Sequence, residues 1–395
     1  MKKALSIIVV AVMLFSTFAI GISAKKSDPS LRFNADGKFR IMQMADLQDN
    51  FSLNTVVKDF IKAAIEKEQP DLIVLTGDNF AGYSTGTNVL GCVDKALAKK
   101  AIDEYMSIFE KYGIPVTMTF GNHDDEDIKA TKEEILEMYQ EYDCFVGYDA
   151  EPELYGCGTH NLPIYSSTNA YKVAYNLWMV DSNTYDEELG GYDYVHDDQV
   201  EWYVNKSNEL KAANGGQPVP SMAFQHIIVR EILDALEECP EGTPNSMPNN
   251  GTFYKFKDEC YKTGYFKEWP CPGTRDSKEF TAMRDQGDVV AMFFGHDHNN
   301  SFEVSYQGVD LVATPGFTFS SYGNEDRAFR VIDIDENDTS TYETHLIQWK
   351  DIFGSSKMAM NHYNMYASKN VWEQITCALK YIPFALLKLI AGYVF

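Results

Sequence analysis

The stretch Asp71-Leu72-Ile73-Val74-Leu75-Thr76-Gly77-Asp78-Asn79 constrains this chain more than any other. Four consecutive apolar residues, Ile73 and Val74 β-branched among them, read as a strand buried on both faces. Strands of that kind belong to parallel sheets covered by helices, so the fold class is α/β. The run stops at a glycine followed by an acid, which sets Asp78 at the carboxyl end of a central strand. Ligands and metals collect beyond such strand ends in open α/β sheets. Asp-Asn after Gly is equally ordinary turn chemistry, so this stretch alone admits a functional and a structural reading.

The same pattern recurs along the chain. Phe39 to Met44 is a short apolar strand running into Ala45-Asp46-Leu47-Gln48, a second acid at a strand end. From Thr55 to Gln69 the residues Val56, Val57, Phe60, Ile61, Ala64 and Ile65 make one helical stripe, which Pro70 stops. A helix over Ala96 to Tyr112 ends at Gly113, and a strand from Ile114 to Phe120 leads into Gly121-Asn122-His123-Asp124. Thr131-Lys132-Glu133-Glu134 has the form of a capping box that opens a helix. A strand over Tyr171 to Val180 ends at Asp181-Ser182-Asn183, and a helix follows from Gln199 to Ala213. Pro220 to Phe224 runs into Gln225-His226, and Val289 to Phe294 into Gly295-His296-Asp297-His298. Strands near Val309 to Ala313, Arg327 to Ile334 and Tyr342 to Trp349 bring the number beyond what one sheet holds comfortably, so two sheets are expected. Between Cys239 and Asp285 periodicity fades among Pro, Gly, Tyr and Cys, and the segment reads as an irregular active-site rim.

Charge narrows the partners. A formal charge of −24 and a pI near 4.7 oppose binding to long nucleic acids or anionic membrane surfaces, which recruit Lys and Arg to phosphates. A small phosphate ester stays open, because a bound metal inverts the local field. Residues 1–24 begin Met1-Lys2-Lys3, continue apolar from Ala4 to Ile20 and end in small residues at Ala24, the form of a secretory signal peptide. The expected location is therefore secreted or cell-envelope, with an uncleaved signal anchor as the alternative. Export permits disulfides, and Cys144 with Cys157 and Cys260 with Cys271 are the sequence-local pairs among seven cysteines. After a domain over residues 25–350, residues 351–395 form an apolar helical tail. Glu373, Lys380, Pro383 and Lys388 make residues 371–395 a poor membrane-spanning segment. Docking on the domain and contact with a membrane surface are the two readings of that segment.

Five strand ends thus present Asp46, Asp78, Asn122, His226 and the pair His296 and His298. Each has a bland explanation alone, but carboxylate and amide oxygens mixed with imidazoles suit Zn, Mn, Fe or Co. A carboxylate shared by two such ions holds them roughly 3.5–4 Å apart, as in two-metal hydrolases.

Asp46-Leu47-Gln48, Gly77-Asp78-Asn79, Gly121-Asn122-His123-Asp124, Gln225-His226 and Gly295-His296-Asp297-His298 resemble, in order and spacing, the five blocks of the calcineurin-like metallophosphoesterases. Asp198 to Tyr203 and Ser221 to His226 resemble the subgroup related to single-domain purple acid phosphatase-like proteins. The resemblance spans about residues 36–350 and implies a four-layer αββα sandwich of two mixed sheets with a dinuclear site at the strand ends. It implies that Asp46, Asp78 and His298 hold one divalent or trivalent ion, that Asp78, Asn122, His226 and His296 hold the other, and that Asp78 bridges. It further implies that His123 faces the leaving oxygen, with Asp124 as its orienting partner and Asn79 as a second contact or a turn former. Two positions depart from the family pattern. Gln48 stands where histidine is usual, and Ala81 stands where purple acid phosphatases carry a ligand tyrosine, so no iron–tyrosinate centre is expected. The function implied is hydrolysis of small phosphomonoesters. The alternatives are a phosphodiesterase acting on cyclic nucleotides, nucleotides or lipid head groups, and a non-catalytic binding protein with a degraded metal site.

Overall fold

The computed structural model describes residues 30–83, 91–323, 325–368 and 370–394. The signal-peptide expectation for residues 1–24 lies outside them. The first part of the chain supplies β1 (Lys38–Met44), α1 (Thr55–Glu68), β2 (Leu72–Thr76), α2 (Lys95–Tyr112), β3 (Val116–Thr119) and α3 (Lys132–Gln140). Next come β4 (His160–Tyr165), β5 (Val173–Met179), α4 (Asp197–Ala213), β6 (Ser221–Phe224), β7 (Leu236–Cys239), β8 (Met247–Asn249) and β9 (Thr252–Phe256). The remainder supplies β10 (Tyr261–Thr263), α5 (Glu279–Gln286), β11 (Val289–Phe294), β12 (Glu303–Tyr306), β13 (Val309–Ala313), β14 (Ala328–Asp335) and β15 (Asp338–Gln348). The chain then turns into α6 (Trp349–Phe353), α7 (Lys357–Ala367) and α8 (Val371–Val394).

The strands make two large mixed sheets, ordered β15-β14-β1-β2-β3 and β10-β12-β13-β11-β6-β5-β4. Within each, the strands carrying the sequence blocks are parallel neighbours, β1-β2-β3 in one and β6-β11 in the other. Three apolar cores separate four layers. Phe60, Ile102, Phe109 and Tyr139 of α1 to α3 pack on the outer face of the first sheet. Trp202 and Tyr203 of α4 with Phe280 of α5 cover the outer face of the second. Ile41, Leu72, Val74 and Ile332 meet Leu177, Met222, Phe224 and Phe293 between the sheets. Each fully buried aliphatic or aromatic side chain in such a core stabilises the fold by about 1.5–3 kcal/mol. The four-layer αββα arrangement is therefore present.

Local chemistry fixes the helix ends. Thr131 accepts from the Glu134 N–H at 3.3 Å while the Thr131 N–H donates to Glu134 at 3.1 Å, completing the capping box of α3. Asp94 caps α2 by accepting from Leu97 N, and Gly113 closes it in the left-handed conformation.

Register decides where the loops emerge. Met44 lies opposite Leu75 and Thr76 opposite Thr119, so the turns after β1, β2 and β3 leave one edge together. Phe224 lies opposite Phe293, and Phe294 opposite Ala313, which brings the turns after β6 and β11 into step.

Two expectations are corrected. The segment from Cys239 to Asp285 is not an irregular loop throughout: β7, β9 and β8 form a small antiparallel sheet, and β10 and α5 lie within it as well. Its strands are too short and Pro-broken to show a period-2 pattern. The disulfides Cys144–Cys157 and Cys260–Cys271 do not form. Closeness in sequence does not set the Cα separation that a disulfide requires, and Cys144, Cys157 and Cys260 are instead buried as small apolar side chains. The tail, finally, is docked on one side only. Cys377 is buried and Tyr381 stacks on His362 of α7 at 4.1 Å, while Trp372, Leu379 and Leu387 face outward.

Candidate metal centre

Each functional block leaves its strand through a sharp backbone turn. Asp46, Gln48, Asp78 and His296 have φ of 54°, 34°, 49° and 72°, a left-handed conformation unusual for these residues. Such conformations cost of order 1–3 kcal/mol each and persist where the surroundings force them. Here they swing four side chains into one crevice between the sheet edges. Two glycines make room: a Cβ on Gly77 would lie 2.5 Å from the His226 ring, and one on Gly121 would lie 2.3 Å from the Asp78 carboxylate.

Asp46, Asp78 and His298 offer ligand atoms that all lie within 4.8 Å of one another, and all three residues are buried. His226 Nε2 sits 3.4 Å from Asp78 Oδ2, and His298 Nε2 sits 3.2 Å from Asp46 Oδ1. His296 Nδ1 lies 3.3 Å from His226 Nε2. Backbone carbonyls fix the ring orientations: His226 Nδ1 donates to Thr76 at 2.9 Å and His298 Nδ1 to Tyr322 at 2.8 Å. Each ring therefore aims its Nε2 lone pair at the centre, the arrangement that orients metal-binding imidazoles. Asp78 also accepts from the His123 N–H at 2.8 Å, and Asp46 from the His296 N–H at 3.1 Å.

Two amide oxygens near the ends of β1 and β3, Gln48 Oε1 and Asn122 Oδ1, are fully buried and have no hydrogen-bond partner in the protein. A buried oxygen left unpaired costs about 1–3 kcal/mol, so these two, on the turns after β1 and β3, are acceptors open to a cation. Asn122 spends only its Nδ2 on the protein, donating to Tyr185 Oη at 3.1 Å. Asp46, Asp78 and His298 therefore form a group that fits a metal ion, and His226 and His296 stand next to it. Gln48, where the family pattern has histidine, sits on the β1 turn with its backbone N–H donating to Asp78 O at 2.7 Å.

Electrostatics agree with that reading. Burial alone would lower the His226 imidazole, but Asp78 beside it carries it up to about 10. Burial pulls against His298 too, and Asp46 outweighs it. The His296 ring, buried and facing the charge on His226, is held well below its ordinary value. Without metal, Asp78 and Asp46 favour protons on the His226 and His298 rings.

The catalytic expectations divide. His123 stands at the crevice with its Nδ1 2.6 Å from Glu126, so its orienting partner is Glu126 and not Asp124. Asp124 is instead enclosed by the N–H groups of Gly121 and Asn79 at 2.8 and 2.7 Å, and burial followed by the Asp78 charge lifts it to about 8. It clamps the β2 and β3 turns together. Asn79 donates its side chain to Thr119 O at 3.0 Å and to Asp124, and so acts as the turn former. The reason is geometric: Gly121 to Asp124 is a tight turn that folds Asp124 back under the backbone, while Glu126 comes round to the His123 face.

Several residues had escaped sequence reading. Tyr192 meets the His296 ring edge-on at 4.3 Å, Tyr322 stacks on His298 at 4.1 Å, and Tyr83 lies 4.8 Å from His123. Tyr185 donates to Glu126 at 3.1 Å, joining Asn122 to the His123 partner. Only the i to i+3 spacing of Glu126 from His123 was a readable signal. Beneath the site, Thr314 donates to Gln43 at 2.7 Å, and Gln43 donates to Thr76 at 3.0 Å. Arg330 donates to Thr314 and to Glu303, both at 3.0 Å. This buried network ties the two sheets together directly under the ligand loops.

A two-sheet α/β sandwich with acids, amides and imidazoles converging at its strand ends defines a metal-centre protein of the phosphoesterase type. The family model for calcineurin-like phosphoesterases matches residues 39–300, and the chain belongs to that family. Members of the family use dinuclear metal centres. Among its relatives is probable inactive purple acid phosphatase 14 of Arabidopsis thaliana, 28% identical over 335 residues that cover 76% of this chain and 76% of that protein. Probable inactive purple acid phosphatase 29 of the same plant is 27% identical over 368 residues, covering 82% and 86%. Phosphatase DCR2 of Saccharomyces cerevisiae is 25% identical over 370 residues, covering 84% of this chain and 56% of that protein.

Proposed function

We propose that this chain is an exported, metal-dependent phosphoesterase that hydrolyses small phosphomonoesters at the crevice above β1, β2, β3, β6 and β11. The observation that carries the reading is the convergence of buried ligand atoms of Asp46, Asp78 and His298 within 4.8 Å of one another, with the buried, unpartnered oxygens of Gln48 and Asn122 on the turns after β1 and β3. Asp46, Gln48, Asp78 and His298 would hold one ion, and Asp78, Asn122, His226 and His296 the other. When bound, two such ions supply Lewis-acid charge to the phosphoryl oxygens and lower the pKa of bound water towards about 7. The chain's own residues do the rest. Asp78 joins the two ligand groups, and the carbonyls of Thr76 and Tyr322 keep His226 and His298 in the required tautomer. His123, held by Glu126, holds a proton at the crevice for the departing ester oxygen. The Lys2-Lys3 start and apolar run from Ala4 to Ile20 support export.

A diesterase reading is favoured by one feature. Glu126, bonded to Tyr185, and Glu268, bonded to Tyr322, stand beside the crevice, so the described rim favours a less charged phosphate. The names of the two plant relatives, together with Gln48, support a third reading in which the site binds metal without turnover. Stripped protein reloaded with Mn, Zn or Fe and assayed on p-nitrophenyl phosphate and its bis ester separates all three. Monoester turnover that exceeds diester turnover and disappears in Asp78→Ala is the expected result. Diester preference, or no turnover by fully loaded protein, refutes it.

A further inference from the structure

The helix α8 presents its apolar side to solvent instead of to the protein. Gln374, Cys377, Ala378, Tyr381, Phe384 and Ala385 are the half-buried or buried positions, a stripe at i, i+3, i+4 and i+7 that rests against α7. On the opposite side Trp372, Ile375, Leu379, Ile382, Leu386 and Leu389 form an exposed row spaced 3, 4, 3, 4 and 3 residues apart. Trp372 is 78% exposed and Leu379 72%. A helix that packs on a globular domain normally turns such a row inward. Contiguous outward apolar surface of this kind marks a binding site.

We propose that this face of α8 seats on a lipid surface, with the helix lying in the plane of the interface. Three features select lipid over a second copy of the chain. Val371, Pro383 and Leu387 are exposed beside the row and widen it beyond the narrow seam that two helices share. The positions flanking the row, Thr376, Ala378, Pro383 and Ala385, carry no charges to pair two helices. With a formal charge of −24, two copies of the chain repel each other, whereas Lys380 and Lys388 against Glu373 leave the described helix with a locally positive balance suited to headgroup phosphates. Trp372 at the start of the row is the type of side chain that settles at headgroup depth. No helix among the described residues is long and apolar enough to cross a membrane, so α8 lies on the bilayer and does not span it.

The test is flotation of the full chain with phosphatidylcholine vesicles, comparing wild type with Leu379→Glu/Leu386→Glu. Both leucines are exposed, so the domain keeps its metal content and circular dichroism. The expected result is at least a tenfold loss of vesicle-bound protein in the variant. Brominated lipid quenches the fluorescence of Trp372 in the wild type, and Trp372→Phe abolishes that quenching. Equal flotation of wild type and variant, which would trace binding to the N-terminal apolar run, overturns the proposal. So does a stable dimer that fails to float.

Discussion

Replacing Asp78 with Asn isolates the charge on which the site depends. Asn tolerates the left-handed backbone at this position, where φ is 49°, so the turn survives and only the negative charge is lost. In metal-free protein, Asp78 balances the proton that it holds on His226 up to about 10. Breaking a buried pair from one side costs about 3–5 kcal/mol, less whatever is recovered when His226 sheds its proton and remains bonded to Thr76. The sign with pH follows from a raised histidine. The pair's contribution is fully present below the unfolded value near 6.5 and fades as pH climbs through about 10. The stability gap between wild type and Asp78→Asn should therefore be widest near pH 6 and close towards pH 10. Metal adds a second readout. At a hundredfold excess over Kd, one bound ion stabilises the fold by about 2.7 kcal/mol, equivalent to about 3 °C in Tm for a chain of this size. Scanning calorimetry of chelator-stripped samples, with and without Mn, should show that shift in wild type and almost none in Asp78→Asn. A variant that keeps the full metal-induced shift would show that Asp78 does not bridge, and the assignment of both ligand groups would fail.

Other outcomes are equally checkable. Gln48→His supplies an imidazole where a lone amide oxygen now sits, so retention of the ion held by Asp46, Asp78 and His298 should rise about tenfold by elemental analysis after dialysis. Glu126→Gln leaves His123 without its carboxylate partner, and kcat on a monoester should fall about tenfold with metal content unchanged. An unaltered kcat would remove His123 from the reaction. Burial holds His160 down to about 4, so its contribution to stability is present above pH 6.5 and lost as pH falls through that window. His160→Gln, keeping bonds to Thr117 and Gly158, should flatten the acid limb of a urea-stability curve by about 3 kcal/mol between pH 6.5 and 4.

The buried polar network under the site explains why the crevice holds its shape. Arg330 is 1% exposed and reaches Glu303, Thr314 and two backbone carbonyls, so the sheets are joined by hydrogen bonds as well as by apolar contact. Its residues looked unremarkable in sequence, where a single Arg within a strand suggests an exposed face.

What could be read from the chain alone was whatever depends on short-range pattern. Apolar runs closed by polar turn residues located β1, β2, β3, β6 and β11, and the ends of those runs nominated Asp46, Asp78, Asn122, His226, His296 and His298. The capping box of α3 and the glycine stop of α2 were legible for the same reason, since each is settled within one turn. Only tertiary structure decided what happens between distant segments. It showed that the parallel register carries five strand ends to one edge, and that His123 turns to Glu126 while Asp124 folds back into the β2 and β3 turns. It also set the apolar row of α8 facing outward. Those facts depend on which faces meet after folding, and helix periodicity specifies a stripe without specifying whether protein, lipid or water will cover it.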